Sequence, residues 1–380
     1  MRVIYSNGAR IAGGGVGNTS YHAVRGLHRH KLLECLICGS SRPTEIPLSK
    51  IRALGILSRV FRKLAVYDSH NRLDYAYRVF YDRWASRQLT ACDVFLGWSG
   101  YSLTTLRRAK SQGAITVLDR ALAHPMPLNQ LLEKEHAVYQ IPHTKPQAAN
   151  FVRQEIESAD YILIPSDFVR ETFLAEGVPE AKLIQIPFGV DTQRFQPVSR
   201  PNGDGFRALF VGQVSIRKGV QTLLETWRLL GWSDAELWLA GRVELPPSLM
   251  ARFRDLPGVR FLGYVSPVLP LFQQADVFVF PSLAEGSALV TYEAMACGLP
   301  VIVTFNAGSV AREGKDGFII PARDPEAIAA RLEQLRAKKN LRQEMAHSAR
   351  QWIEQFTWER YGDRVAEAIC QLGSFQMPEA

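Results

Sequence analysis

Short apolar runs alternate with helical patterns along this 380-residue chain. In its first half, runs with the length and residue types of buried strands occur at residues 3–6, 32–38, 94–97, 115–118 and 161–164. A helical pattern at residues 18–30 separates the first two runs. Strands buried on both faces and joined by helices are typical of parallel sheets, so this half is predicted to be a doubly wound α/β domain.

A second series of the same kind follows. Its predicted strands lie at residues 207–211, 237–240, 259–262, 276–280 and 301–303. Helical patterns near residues 324–338, 341–356 and 358–372 complete it. Residues 195–205 lie between the two series, lack periodicity and are rich in Pro and Gly, which is typical of a linker. Because a chain of this length exceeds what one core usually supports, we predict two domains, at residues 1–195 and 206–357.

The positive charge is concentrated in the first domain. The net charge is +8, and residues 1–110 carry 18 basic against 6 acidic side chains. Residues 51–64 are basic and amphipathic, a pattern compatible with docking on an anionic membrane surface or with an acidic or lipid-linked acceptor. A core-packing helix with a solvated basic face has the same pattern. No known binding motif for nucleic acid accompanies the charge, so that partner is not expected.

Other features point to a cytoplasmic protein. No stretch approaches 18 apolar residues, and the first predicted strand begins at once rather than after a signal peptide. The five cysteines include Cys35 and Cys38, which have metal or redox spacing. Because these two lie in a strand-like run and would point to opposite faces, we predict buried thiols.

Two carboxylates eight residues apart, Glu285 and Glu293, flank the start of a predicted helix after a buried strand. Gly286 or Ser287 is predicted to be the N-cap of that helix, which would run to about Cys297. Carboxylates only accept hydrogen bonds and vicinal hydroxyls donate them, so the pair suits ribose and hexose hydroxyls. The alternative is two solvated charges, but Glu293 has mostly apolar neighbours, among which an unpaired charge is costly.

Phosphate-binding groups are expected nearby. Free amides of Ser287, Ala288 and Leu289 at the helix start should face the crevice outside the carboxyl ends of the strands. Another loop, residues 212–219, follows the strand at 207–211 and contains Arg217 and Lys218. Two cations there would stabilise a diphosphate leaving group, and two exposed basic side chains are the alternative.

The first domain contributes a glycine-rich loop and a histidine. The loop fits a dinucleotide fingerprint poorly, so we interpret it as flexible backbone lining the interdomain cleft, with a plain tight turn as the alternative. The residues assigned to the cleft are Gly14, Gly15, Gly17, Asn18 and, from the end of a later strand, Arg120. His124 could orient or polarise a sugar hydroxyl, or be a structural histidine. No metal-binding motif occurs, so neither a metal nor another cofactor is expected.

These motifs, with residues 157–166, 186–191 and 316–318, resemble the retaining glycosyltransferases of the GT-B fold, the large group 1 family that includes sucrose synthases and many bacterial cell-envelope transferases. The most specific part is E-x7-E within P-S-x-x-E-G and E-A-M-A-C-G-x-P-V-I. The resemblance implies two Rossmann-like domains, with residues 358–380 returning to the first. It also implies transfer from a nucleoside-diphosphate sugar to a glycan, lipid-linked or small-molecule acceptor.

Site roles follow from the resemblance. Glu293 would bind the donor ribose, Glu285 the transferred sugar near its anomeric centre, and Arg217 with Lys218 the diphosphate. Amides from Gly286 to Val290 would assist, and His124 matches the family's first-domain histidine. The family commonly has Gly-Arg where this chain has Gly212-Gln213, so one cation is absent. A non-catalytic sugar-nucleotide-binding subunit and a nucleotide-sugar epimerase are the alternatives.

Overall fold

Two parallel sheets organise the chain. The computed structural model describes residues 1–13, 15–42, 44–65, 72–142, 148–198 and 205–374. The first sheet has the order β3-β2-β1-β4-β5-β6-β7, and all its described pairs are parallel. Its strands are β1 Val3–Ile11, β2 Leu33–Ser41, β3 Ile51–Ala53, β4 Val94–Trp98, β5 Ile115–Asp119, β6 Tyr161–Ile164 and β7 Leu183–Gln185. The helices of this part are α1 Val16–Arg29, α2 Ile56–Ala65, α3 Arg72–Gln88, α4 Leu103–Ser111, α5 Pro125–Val138, α6 Ala149–Ser158 and α7 Asp167–Leu174.

The second sheet has the order β10-β9-β8-β11-β12-β13 and is also parallel. Its strands are β8 Phe206–Val211, β9 Ala235–Ala240, β10 Val259–Gly263, β11 Val277–Phe280, β12 Val301–Thr304 and β13 Gly317–Ile320. The helices are α8 Val220–Leu230, α9 Pro247–Ala251, α10 Leu269–Gln274, α11 Leu289–Ala296, α12 Pro325–Ala337, α13 Lys339–Ile353 and α14 Trp358–Ser374. The strand order reverses between β8 and β11, and ligands of such sheets bind at that point, outside the carboxyl ends of the strands.

The last helix lies against the first. At the crossing of α1 and α14, a Cβ atom added to Gly26 would lie 2.0 Å from the carbonyl oxygen of Gly362, so only glycine permits this approach. The rings of His22 and Trp358 stack with centroids 4.5 Å apart. The chain therefore passes from the second sheet back to the first, while the exact domain boundaries stay a prediction.

Three predicted boundaries need correction. β1 continues to Ile11, and the amphipathic segment 51–64 divides into the edge strand β3 and the helix α2. α11 begins at Leu289 with Ala288 as its N-cap, later than the N-cap predicted at Gly286 or Ser287. The side chain of Ser287 does not cap the helix, because its hydroxyl donates to the carbonyl of Gly308 at 2.8 Å and contacts the hydroxyl of Tyr292.

The cysteine pair is buried, as predicted. Cys35 and Cys38 pack in different hydrophobic clusters, on opposite faces of β2. Burial raises the pKa of both thiols, that of Cys38 to about 12, which opposes thiolate chemistry. Over the residues that the structure covers, no helix combines the length and apolar character needed to cross a bilayer.

Candidate active site

One carboxylate and two cations meet at the carboxyl edge of the second sheet. Glu285 follows β11, and Arg217 and Lys218 lie in a 3-10 helix, Ile216–Lys218, after β8, the strand beside β11. Oε1 of Glu285 lies 2.5 Å from both Nη1 of Arg217 and Nζ of Lys218. The sheet thus brings Arg217 and Glu285 together although they are 68 residues apart in the chain.

The surroundings of this cluster are partly dehydrated. The side chain of Glu285 is 11% exposed and that of Lys218 13% exposed. Burial lowers the pKa of Lys218, while Glu285 opposes that shift. Nζ of Lys218 also lies 5.1 Å from the centre of the Phe280 ring, a cation–π contact. The backbone is held as well, because the amide of Glu285 donates to the carbonyl of Asn306 at 2.9 Å.

One predicted phosphate donor is already engaged. The amide of Ala288 donates to the carbonyl of Ala307 at 3.0 Å, so the expectation that it is free is wrong. Its engagement follows from the late start of α11, since Ala288 lies before the helix. For the amides of Ser287, Leu289 and Val290 the described residues provide no backbone acceptor, so these three remain candidates.

Glu293 lines a cavity of about 630 Å³ between the two parts of the chain. The other lining residues include Gly15, Asn18, His22, Arg25, Asp191, Arg194, Leu289 and Trp358. Burial raises the pKa of Glu293 to about 7, and the cation of Arg194 only partly offsets this. Among the described residues no side chain or amide donates a hydrogen bond to its carboxylate. Glu293 is therefore a poorly solvated acceptor open to a ligand with hydroxyl donors.

The residues of the predicted cleft loop have different roles. Gly15 and Asn18 line this cavity, but Glu285, Arg217 and Lys218 are not among its lining residues. Gly17 lies within α1, where a Cβ atom would be 1.9 Å from the carbonyl oxygen of Arg10, so its role is packing. Gly14 lies outside the described residues.

A second cavity, of about 330 Å³, opens at the carboxyl ends of β8, β9 and β10. Gly212 and Gln213 line it, together with Arg242 and Tyr264. Nε2 of Gln213 donates to Glu244 at 3.1 Å, so this side chain is tied to a surface carboxylate. Sequence reasoning missed Arg242 and Tyr264, although each lies just beyond the end of a predicted strand, where ligand-binding loops are expected.

His124 and Arg120 have structural partners. His124 caps α5, its Nδ1 accepts from the amide of Met126 at 3.4 Å, and its ring packs edge-on against Phe173. Burial, with a smaller effect of Arg120, lowers the pKa of His124 to about 4, so the ring is neutral. Arg120 donates to the carbonyls of Leu122 and Ala123. Its assignment to the cleft surface is wrong, since the residue is only 8% exposed and its side chain shapes the loop that carries His124.

Contacts that the sequence did not indicate join the two parts of the chain. Gly286 lies so close to the first part that a Cβ atom would be 1.5 Å from the carbonyl oxygen of Ala121. The hydroxyl of Ser166 donates to the carbonyl of Gly286 at 2.5 Å. Glu135 of α5 accepts from Nε2 of Gln221 at 2.8 Å and pairs with Arg323. The segment that follows Glu285 is thus fixed against the His124 loop.

Comparison with known proteins identifies the class. Residues 205–338 match the family model described as glycosyl transferases group 1. The chain is 26% identical to O-antigen chain mannosyltransferase B of Escherichia coli, over 91% of this chain and 93% of that protein. It is 28% identical to D-inositol 3-phosphate glycosyltransferase of Corynebacterium urealyticum, over 62% of each. The alignments with this and two further curated relatives span only 42% to 62% of their lengths.

Fold comparison agrees. The Anabaena protein Alr3699/HepE, solved in complex with UDP-glucose, is 15% identical and superposes with a TM-score of 0.64 over 98% of this chain and 100% of its own. The predicted GT-B fold class, two Rossmann-like α/β domains, is confirmed. Residues 205–338 carry the match to the group 1 glycosyltransferase family, and over nearly its whole length the chain is similar to a glycosyltransferase.

Proposed function

We propose that this protein is a retaining glycosyltransferase that moves a hexosyl group from a nucleoside-diphosphate sugar to a glycan, lipid-linked or small-molecule acceptor in cell-envelope or exopolysaccharide assembly. The observation that carries the proposal is the cluster of Glu285, Arg217 and Lys218 at the point where the strand order of the second sheet reverses. The named activities of the relatives and the UDP-glucose complex of HepE support this reaction class.

The cluster suits a reaction that creates charge on a leaving phosphate. As the bond between the anomeric carbon and the phosphate oxygen breaks, negative charge grows on the diphosphate, and Arg217 and Lys218 would stabilise it. Both cations now pair with Glu285, so a bound diphosphate would take over the cations and leave Glu285 to accept from a sugar hydroxyl.

Retention would follow a front-face route. The acceptor oxygen bonds to the anomeric carbon on the side that the diphosphate leaves, and the departing phosphate oxygen takes the acceptor's proton. No protein base is then required, in keeping with a neutral His124 of low pKa that can position a hydroxyl by hydrogen bonding. Positioning and exclusion of water are the protein's remaining tasks.

Glu293 would bind the donor ribose. Its carboxylate, with a pKa near 7 and no donor among the described residues, would gain two hydroxyl donors from vicinal ribose oxygens. Such bonds favour the charged form, so they lower the pKa and release a proton at neutral pH.

The first experiment measures binding of uridine, guanosine and adenosine diphosphate sugars by thermal shift and calorimetry. We expect one nucleotide to stabilise the protein, and Lys218→Ala and Glu293→Ala to weaken its binding at least tenfold. Lys315→Ala serves as a control, because Lys315 lies in the second domain on the exposed loop before β13. Unchanged affinity in both site variants would refute the assigned site.

Turnover separates catalysis from binding alone. We expect slow donor hydrolysis by the purified chain. Nuclear magnetic resonance should show that the sugar released first has the same anomeric configuration as the donor. The non-catalytic alternative is favoured only by Gln213, which stands where the family commonly has a cation. Tight nucleotide binding without any turnover, with or without candidate acceptors, would support that alternative. Metal independence and a cytoplasmic location remain predictions.

A further inference from the structure

The outer face of α2 presents apolar side chains to solvent. Ile56 is 74% exposed, Leu57 50%, Val60 46% and Leu64 50%. At 3.6 residues per turn these four positions fall within an arc of about 100°, which makes one continuous stripe along the helix. We call these four residues the apolar stripe. A helix face packed against a core would bury such a stripe, so these four side chains lie outside the core even though the other side of α2 packs against it.

The opposite side of α2 fixes the helix in place. The fully buried hydroxyl of Ser58 donates to the carbonyl of Gly55 at 3.0 Å. The ring of Phe61 lies 5.5 Å from that of Tyr77 and 5.8 Å from that of Phe80, both on α3. Because the inner side packs in this way, the fold itself orients the apolar stripe outward.

Cations run beside the apolar stripe. Arg59 and Lys63 are exposed and form the next row of the helix surface. Within the described part of the chain, neither has a carboxylate at salt-bridge distance, and the sequence of α2 contains no acidic residue. Residues 1–110 as a whole carry 18 basic and 6 acidic side chains. This face therefore combines exposed apolar side chains with positive charge.

We propose that this face docks on an anionic bilayer surface. The apolar stripe would enter the boundary between headgroups and acyl chains, while Arg59 and Lys63 would contact anionic headgroups, the arrangement of interfacial amphipathic helices. A second copy of the chain suits the face less well, because a two-fold contact would bring the same cations together.

Docking would also orient the cleft. β3 is parallel to β2 and leads directly into α2, so the first turn of α2 lies at the carboxyl edge of the first sheet. Gly15 in the loop after β1 and Asn18 in the first turn of α1 lie at that same edge. A docked chain would thus face the membrane with the edge that lines the cavity of Glu293, which suits a lipid-linked acceptor. This last step rests on the proposed function, whereas the docking does not.

The test measures binding of the full chain to phosphatidylcholine vesicles with and without phosphatidylglycerol, by flotation at low and high salt. We expect binding only to the anionic vesicles, weakened by salt. Arg59→Gln with Lys63→Gln should reduce binding roughly 30-fold, from about a factor of five per cation. Leu57→Ser with Leu64→Ser should reduce it at least about tenfold.

Leu229→Ser is the matched control, because Leu229 is also apolar and 54% exposed but lies on α8 of the second domain. It should bind vesicles like the unchanged chain. Failure of the unchanged chain to bind anionic vesicles would overturn the proposal, and so would equal binding to neutral ones. Concentration-dependent dimers that disappear in the Leu57 and Leu64 variant would assign the face to self-association instead. Nucleotide calorimetry on the same proteins keeps the two proposals apart, since loss of vesicle binding with normal nucleotide binding, or the reverse, refutes only one of them.

Discussion

Glu135, a residue only 2% exposed, links the two domains through its carboxylate. It accepts from Nε2 of Gln221 at 2.8 Å and pairs with the guanidinium of Arg323, which also donates to the carbonyl of Leu131 at 3.2 Å. Glu135 and Leu131 lie on α5 of the first domain, and their partners belong to the second. These contacts form only when the two domains touch. We call that arrangement closed and the separated one open, and Glu135 should favour the closed arrangement.

The structure bounds the size of this effect. Glu135→Ala leaves Nε2 of Gln221 with the carbonyl of Ile216 at 3.2 Å, and the side chain of Arg323 is 42% exposed and can rehydrate. The cost should therefore be below the ~3–5 kcal/mol of a fully buried broken ion pair. We expect about 1–2 kcal/mol, a shift of roughly 5- to 30-fold from closed to open.

Small-angle scattering and turnover measure the shift. Glu135→Ala should raise the radius of gyration and lower kcat/KM by a similar factor, while Glu135→Gln, which keeps an acceptor oxygen, should have an intermediate effect. Lys134→Gln, at an exposed neighbouring position, is the control. In a double-mutant cycle, Glu135→Gln and Arg323→Gln should be non-additive. Strict additivity, or Glu135→Ala with unchanged scattering and turnover, would refute the reasoning.

Three further predictions concern other residues. Gly286→Ala places a Cβ atom 1.5 Å from the carbonyl oxygen of Ala121, so it should separate the domains and lower kcat/KM at least about tenfold, with normal folding by circular dichroism. Burial raises the pKa of Asp119 to about 7, so its protonation stabilises the fold fully below pH ~4, and this contribution is lost as the pH rises through 7. Asp119→Asn should flatten this slope in urea unfolding at pH 5 and 8, but only in part, because the pKa of Glu155 is also raised to about 7; an unchanged slope would contradict the assignment. Gln213→Arg restores the cation common in the family, so it should tighten binding of a nucleoside diphosphate roughly tenfold and leave that of the nucleoside unchanged; an equal gain for both would exclude a phosphate contact.

Local sequence patterns were sufficient to predict much of the secondary structure of this protein. Buried strands and intervening helices follow from hydrophobic periodicity and turn residues, which act over a few neighbours. The E-x7-E spacing also placed Glu285 and Glu293 around a helix start. Boundaries were less accurate, as at α11, because the exact start of a helix depends on backbone bonds to distant residues such as that from Ala288 to Ala307.

The sequence by itself determined the two α/β domains, the residue types of the site and the basic amphipathic character of residues 51–64. Only the tertiary structure decided that Glu285 pairs with Arg217 and Lys218, that Arg120 is internal, that Glu135 joins the domains and that the apolar stripe of α2 faces outward. The physical reason is the separation along the chain over which each kind of information acts. Periodicity records which side chains avoid water, whereas the partner of a charge and the direction of an apolar face depend on segments that are distant in sequence and meet only in the fold.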